Sequence, residues 1–275
     1  MTDGADEADE AAAVQACVAQ VRERIAAAAR RSGRNPADVI LVGASKRQPL
    51  ERIAAAVRAG VQHLGENYVQ EARDKRPQLE SLLHESGTPL PRWHMIGHLQ
   101  RNKVRTALPL FDLVETIDRA ELAREFDRRI ASAGDIVAQA EPPDQGTRRI
   151  LDVFAQVNVS GEPQKAGVAP EDLPALLEAC APLHHVRVTG LMTLPAPMAL
   201  APSGTEANSG QDSDTLREPF ARLRGLRDHL RDAPGGEDLR ELSMGMSGDF
   251  EIAIEEGATR VRVGTALFGA RKERK

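Results

Sequence analysis

Short apolar runs alternate with segments of helical period along most of this chain, and this alternation is the feature that most constrains its fold. The first run, 39–44, is continuously apolar, as expected of a strand buried on both faces. Seven further strand candidates lie near 61–64, 93–96, 111–117, 150–159, 184–191, 239–242 and 259–263. Most are separated by helical segments at 50–59, 67–85, 100–107, 119–132, 171–180, 214–231 and 248–256.

Alternating βα units predict an α/β protein with a parallel sheet, and eight units in roughly 240 residues match a closed (β/α)₈ TIM barrel. The alternative is an open doubly wound sheet. Its typical GxGxxG turn after the first strand is absent, so the sequence favours the barrel.

The segments around the predicted barrel set its domain organisation. Apolar residues from Val14 to Ile25 recur at three- and four-residue steps and predict an extra N-terminal helix over about 10–31. The acidic residues 1–9 are expected to be a disordered tail. Two stretches rich in Pro and Gly, 134–147 and 196–214, are expected to be mobile insertions within a single domain spanning 10–275.

Composition excludes several classes of partner. The 275 residues carry a net charge of −5 without a long basic run, which argues against nucleic acid. Cys17 and Cys180 are the only cysteines and form no CxxC or Cys/His cluster, so no metal is expected. The acidic N-terminus differs from a signal peptide, and the uncharged stretch 188–205 contains three prolines. We therefore expect a cytoplasmic protein with no membrane partner.

Lys46 is the most informative single residue because it follows the first apolar strand. At that position its ammonium is expected to point into the barrel mouth, where ligands bind. Partial desolvation favours the free amine, which can attack an aldehyde and form a Schiff base. The alternative is a surface lysine with a solvated head group.

The turns after the last two predicted strands suggest a phosphate site. Segment 243–248 is a short turn rich in small residues that leads directly into a predicted helix, and segment 264–269 offers a second glycine turn with a hydroxyl beside it. Unpaired backbone N–H groups at such turns bind phosphate, and TIM barrels commonly place one there. The alternative is that these glycines only form tight turns. A Schiff-base lysine together with a phosphate cup describes pyridoxal 5′-phosphate.

Arg262 and His94 complete the candidate site. Arg262 precedes the last turn and could reach a pyridine nitrogen; an arginine there would leave the ring a weaker electron sink than a carboxylate would. The alternative is an ordinary salt bridge, for instance to Glu255 or Glu256. His94 is a secondary candidate, although a strand histidine is more commonly a hydrogen-bonded core residue.

Seven segments resemble the pyridoxal 5′-phosphate homeostasis protein family, which is related to the N-terminal barrel of alanine racemases. In family order they are Val42–Lys46, Gly65–Glu71, Trp93–Lys103, Gln156–Val159, Gly190–Thr193, Leu242–Asp249 and Val261–Gly269. The combination is specific, although each segment alone would be weak. It extends from about residue 10 to residue 271.

The resemblance implies a monomeric or loosely associated barrel that carries pyridoxal 5′-phosphate as a Schiff base on Lys46. It implies phosphate contacts from Ser243, Ser247, Gly264 and Thr265, a ring-nitrogen contact from Arg262, and Asn67 close to the ring. Lys165 corresponds to a family lysine near the pocket that assists transfer. The stretch 47–49 lacks the second lysine that many relatives carry, so transfer through that lysine is not expected here.

Proteins of this family are thought to buffer the cofactor and deliver it to apo forms of the enzymes that use it, without a firm catalytic turnover. The alternative is an alanine racemase. Dedicated racemases add a second domain whose tyrosine supplies the opposite base, whereas the only tyrosine here is Tyr68, at the start of a predicted helix. A third possibility is a barrel enzyme that acts on a phosphorylated sugar through Lys46.

Overall fold

The computed structural model describes residues 3–132, 150–162, 164–194 and 211–269. Eight parallel strands form a closed barrel in chain order, and the last strand pairs with the first. This confirms the predicted (β/α)₈ barrel. The strands are β1 Ile40–Ala44, β2 His63–Glu66, β3 Arg92–Met95, β4 Leu113–Ile117, β5 Leu151–Gln156, β6 Val186–Met192, β7 Glu241–Ser243 and β8 Arg260–Val263.

Helices follow the strands and cover the outside of the barrel. They are α1 Asp3–Arg31, α2 Leu50–Arg58, α3 Val69–Glu85, α4 Val104–Ala107, α5 Ala120–Ser132, α6 Leu173–Cys180, α7 Gln211–Leu230, α8 Phe250–Glu255 and α9 Thr265–Phe268. Their apolar faces pack on the strands in one large buried cluster. No helix among the described residues is both long and apolar enough to cross a membrane.

Helix α1 is the predicted extra helix, and it packs against α2, α8 and α9 on the outside of the barrel. Val14, Val18, Val21 and Ile25 are buried on its inner face, as the three- and four-residue spacing predicts. The helix begins at Asp3, so it extends into the segment 1–9 for which disorder is expected. Alanines at 11–13 directly follow that segment, and alanine has the highest helix propensity.

The two expected insertions lie mostly outside the described residues. This holds for 134–147 and for 196–210, whereas 211–214 form the first turn of α7. Helix α9 was not predicted, because four residues are too short to show a helical period.

The barrel interior holds a small apolar cluster of its own, formed by Leu113, Phe154 and Met192. Polar side chains share this interior, since His94, Glu115, Ser243 and Arg262 are all at most 3% exposed. Side chains inside a TIM barrel are normally bulky and apolar. The polar group therefore marks a departure that needs a chemical explanation.

Candidate functional site

Lys46 lies in the turn that leaves the carboxyl end of β1, as the sequence predicts, and its side chain is half-buried. The next residue, Arg47, has φ of 57°, a left-handed conformation that is strained for a side-chain-bearing residue. The Arg47 backbone N–H donates a hydrogen bond of 2.5 Å to Glu71 Oε1 on α3. Strained backbone of this kind is found mainly where a functional group must be held in place.

A buried ionic cluster supports the Lys46 turn. Ser45 Oγ donates to Glu66 Oε1 over 2.8 Å, and Lys75 Nζ lies 2.8 Å from the same oxygen. Lys75 also donates to the carbonyl oxygen of Ser45 over 2.6 Å and pairs with Glu71 over 2.6 Å. Burial raises the pKa of Glu66, and the charge of Lys75 opposes that shift. Sequence reasoning missed this cluster because it depends on contacts between two βα units.

Asn67 follows β2 immediately, and the loop after β3 packs directly against it. Its Oδ1 atom is buried without a hydrogen-bond partner, which is an unmet acceptor at this face of the barrel. A Cβ atom added at Gly97 would lie 2.3 Å from the carbonyl oxygen of Asn67 and 2.6 Å from its Cα. Only glycine therefore lets the two loops come this close.

Replacing Gly97 with alanine is expected to lower the free energy of unfolding by about 1–3 kcal/mol, because backbone at Asn67 must move to admit the methyl group. Thermal denaturation measures the effect. Gly248→Ala is the matched control, since a Cβ there would meet nothing within 4 Å. Equal melting temperatures for the two variants would contradict the close approach.

Two backbone N–H groups that follow β8 point to the hydroxyl of Ser247, which follows β7. Those of Gly264 and Ala266 lie 3.2 Å and 3.3 Å from Ser247 Oγ, and Thr265 stands between them. A Cβ atom at Gly264 would lie 3.6 Å from Ala44, the last residue of β1 and two positions before Lys46. The predicted phosphate cup and the lysine turn are therefore neighbours across the seam of the barrel.

Arg262 and Ser243 lie deeper, inside the barrel. Arg262 Nη1 donates to Ser243 Oγ over 2.5 Å, and its Nη2 donates to the Thr193 carbonyl over 2.7 Å. Ser243 Oγ in turn donates to Glu115 Oε2 over 2.5 Å. The alternative of an Arg262 salt bridge to Glu255 or Glu256 is wrong, because those carboxylates pair with Arg217 on the outside of the barrel.

Ser243 forms its hydrogen bonds inside the barrel in this structure, and its phosphate contact stays a prediction. Its hydroxyl donates a hydrogen bond to Glu115, its oxygen accepts one from Arg262, and the residue is fully buried. Ser243 is the last residue of β7, as the sequence predicts, and its side chain faces Glu115 and Arg262 inside the barrel. The hydroxyl of Ser247, by contrast, contacts both N–H groups of the predicted phosphate cup.

The two secondary candidates lie in different places. His94 is fully buried inside the barrel, where its Nδ1 lies 2.6 Å from Glu115 Oε1. Lys165 lies in the loop after β5 and forms an ion pair of 2.6 Å with Glu162. The structure thus brings Lys46, Ser247 and Gly264 to one end of the barrel and places His94 in its interior.

A cavity of about 190 Å³ opens at the opposite end of the barrel, where the strands begin. Its lining is strongly charged: Arg92, Arg187, Arg240 and Arg260 face Asp152, Asp238 and Glu241, with His63 and His94 at its inner wall. His63 Nδ1 lies 2.9 Å from His94 Nε2. Burial, His94, Arg260 and Arg92 together lower the pKa of His63 to about 4, and Glu115 opposes them.

The pKa of His63 predicts a loss of stability in acid. Because the folded protein prefers neutral His63, with a pKa of about 4 against 6.5, the contribution is full above pH 6.5. It is lost progressively as the pH falls from 6.5 to about 4. Urea unfolding across this range should therefore show a steeper decline for the wild type than for His63→Gln. Parallel profiles for the two proteins would contradict this account.

Comparison with known proteins identifies the relatives of this barrel. A family model described as "Alanine racemase, N-terminal domain" matches residues 16–272. A pyridoxal phosphate homeostasis protein of Pseudomonas aeruginosa is 44% identical over 255 residues, covering 92% of this chain and 94% of the relative. The pyridoxal phosphate homeostasis protein of Escherichia coli is 38% identical, with 92% and 95% covered.

Solved structures give the same picture. PipY of Synechococcus elongatus, solved with PLP bound, is 35% identical with a TM-score of 0.68, covering 90% of this chain and 100% of PipY. Alanine racemase from Corynebacterium glutamicum is 14% identical with a TM-score of 0.55, covering 91% of this chain and 60% of the enzyme. The racemase likeness shows the shared barrel alone.

Proposed function

The chain belongs to the pyridoxal phosphate homeostasis protein family, and we propose that it binds pyridoxal 5′-phosphate (PLP) as a Schiff base on Lys46. In this proposal the protein buffers PLP and delivers it to apo-enzymes, and it has no efficient turnover of its own. The observation that carries this proposal is that the Lys46 turn lies beside the Ser247 cup. A Cβ atom added at Gly264, in the cup, would lie 3.6 Å from Ala44, two positions before Lys46.

The residues present fit this cofactor. The N–H groups of Gly264 and Ala266 and the hydroxyl of Ser247 supply donors for a phosphate group. The buried Oδ1 of Asn67 has no partner of its own and is available to a polar ring substituent. Arg262 supplies a guanidinium inside the barrel below this face. Each component of the cofactor thus has a candidate partner, and these partners come from the ends of β1, β2, β7 and β8.

Lys46 is the amine that suits covalent attachment. Condensation joins its Nζ to the aldehyde carbon of the cofactor and releases water, which requires the unprotonated amine. Lys75 is less suited, because its ammonium protons face three acceptors, on Ser45, Glu66 and Glu71. Water reverses the condensation, so the attachment is compatible with later release of PLP.

Arg262 limits the chemistry that such a site can perform. When bound, the cofactor can act as an electron sink for a carbanion formed on an attached amino acid. Arg262 is paired within the barrel and donates hydrogen bonds without giving up a proton, so a ring nitrogen beside it stays unprotonated. This weakens the electron sink and supports a role in holding the cofactor.

The position of Tyr68 also supports a role without racemisation. Tyr68 occupies the N-cap position of α3, and its side chain is 52% exposed. Racemisation requires an acid–base group on each face of the cofactor. An exposed phenol in the second βα unit makes a poor partner for Lys46.

Transfer and turnover can be measured on one preparation. Protein loaded with PLP and freed of excess cofactor is mixed with the apo form of a PLP-dependent aminotransferase, and recovery of aminotransferase activity is followed. A parallel sample is assayed for alanine racemisation. We expect recovery of the aminotransferase and at most trace racemisation. Racemisation at the rate of a dedicated enzyme, without transfer, would favour the racemase alternative.

A further inference from the structure

A continuous chain of four hydrogen bonds crosses the barrel interior from one end towards the other. His63 Nδ1 lies 2.9 Å from His94 Nε2, and His94 Nδ1 lies 2.6 Å from Glu115 Oε1. Ser243 Oγ donates to Glu115 Oε2 over 2.5 Å and accepts from Arg262 Nη1 over 2.5 Å. The chain therefore joins the charged cavity at His63 to the arginine of the proposed cofactor site.

The carboxylate of Glu115 sets the direction of the two bonds that it accepts. An ionised carboxylate only accepts, so His94 Nδ1 and Ser243 Oγ both donate to it. His94 Nε2 faces His63 Nδ1, so one of these two nitrogens donates to the other. Arg262 donates a hydrogen bond to the Ser243 oxygen, whose own proton points to Glu115. Protons on both sides therefore point towards Glu115.

Charge balance explains why Glu115 remains ionised while fully buried. Burial raises its pKa, but hydrogen bonds from His94 and Ser243 and the charge of Arg262 outweigh burial and hold the pKa below its usual range. Burial lowers the pKa of Arg262, and Glu115 opposes that shift. Glu115 is thus the buried counter-ion of Arg262, bridged to it by a hydroxyl.

We propose that Glu115 is a positioning residue that fixes the direction of Arg262 towards the cofactor's ring nitrogen, and that His94 and His63 extend this control to the cavity at the opposite end. The inference rests on the proposed function, because it takes Arg262 as the ring-nitrogen partner. Arg262 is held at two points, by Ser243 and by the Thr193 carbonyl, so its planar guanidinium has one orientation.

A purely structural explanation does not account for this arrangement. Replacing a buried ion pair with apolar side chains is commonly neutral or stabilising, so folding alone gives no reason to keep one. The neighbouring interior positions Leu113, Phe154 and Met192 are apolar, which shows that this barrel accommodates such a filling. The buried pair of Glu115 and Arg262 is connected to two histidines and a serine, and the need to orient Arg262 explains it better.

Glu115→Gln tests the proposal, with Thr116→Val as its matched control. The first variant keeps the side-chain shape and removes the charge, so Arg262 loses the carboxylate to which Ser243 bridges it and keeps only the nearby charge of Asp249. Thr116 is the next residue on β4, is equally buried, and has a hydroxyl without a partner. His63→Gln is a second variant at the accessible end of the chain, which keeps the test available if Glu115→Gln fails to fold.

The first readout uses the protein without cofactor. Nitrogen-15 NMR of the wild type should show an Nδ1–H proton on His94, and the His94 signal should move strongly in Glu115→Gln and stay in place in Thr116→Val. A wild type in which His94 carries its proton only on Nε2 would overturn the proposal. Because no PLP is present, this result is independent of the proposed function.

The second readout uses PLP. We expect Glu115→Gln to raise the dissociation constant for PLP about tenfold or more, and to shift the pH at which the visible absorption band of the bound cofactor changes. His63→Gln should shift that pH in the same direction by less. Unchanged affinity and an unchanged pH profile in both variants would overturn the inference. If the wild type forms no adduct on Lys46, the proposed function fails, and the NMR result alone decides whether the chain exists.

Discussion

Lys46→Ala is expected to abolish covalent capture of PLP. Lys46 lies in the turn after β1, beside the Ser247 cup. Lys75, by contrast, donates to three acceptors, on Ser45, Glu66 and Glu71. Without Lys46 no Schiff base forms, so the visible absorption band of the bound cofactor disappears and borohydride reduction leaves no adduct. Weak binding through the phosphate cup is expected to remain, with a raised dissociation constant.

Lys103→Ala is the matched control for this variant. Lys103 is exposed in the short turn of 3₁₀ helix at Arg101–Lys103, away from the β1 turn in the chain. Its removal subtracts the same charge and should leave the band and the adduct as in the wild type. A Lys46→Ala protein that still shows both would place the Schiff base on another lysine.

Arg262→Met is expected to produce the largest loss of stability. The substitution leaves Glu115 as an uncompensated carboxylate in the barrel interior, where Arg262 is 3% exposed and Glu115 fully buried. Breaking a buried pair in this way lowers the free energy of unfolding by about 3–5 kcal/mol. Urea denaturation at neutral pH measures the change.

Two further variants separate the loss of charge balance from a general effect of removing an arginine. Arg187→Met removes an exposed arginine whose partner Asp152 is also solvated, and should lower stability by less than about 1 kcal/mol. Adding Glu115→Gln to Arg262→Met removes the orphaned charge and should recover part of the loss. An Arg262→Met variant no less stable than Arg187→Met would contradict the account of the barrel interior.

The sequence predicts the fold well because its signal is local. Each βα unit carries its own apolar run and helical period, so counting units is enough to indicate a barrel. Lys46, Asn67 and Gly264 follow strands directly, and parallel strands bring all their carboxyl ends to one face. These residues could therefore be assigned to one face before any contact was known.

The polar chain inside the barrel could not be predicted in the same way. Its bonds join residues 19 to 128 positions apart, and they depend on strand register. One local signal was available: Glu115 stands in the middle of the strand Leu113–Ile117, where a buried charge requires a partner. Identifying that partner as Ser243, and through it Arg262, required the three-dimensional structure.

Peptide mapping of the reduced complex tests the central claim most directly. The wild type is saturated with PLP, reduced with borohydride and digested, and the modified peptide is identified by mass spectrometry. The chain has only six lysines, Lys46, Lys75, Lys103, Lys165, Lys272 and Lys275, so every possible site can be examined. We expect one pyridoxyl group per chain, on Lys46. Modification of Lys165 or Lys75 with Lys46 unmodified, or no modification, would contradict the proposed site.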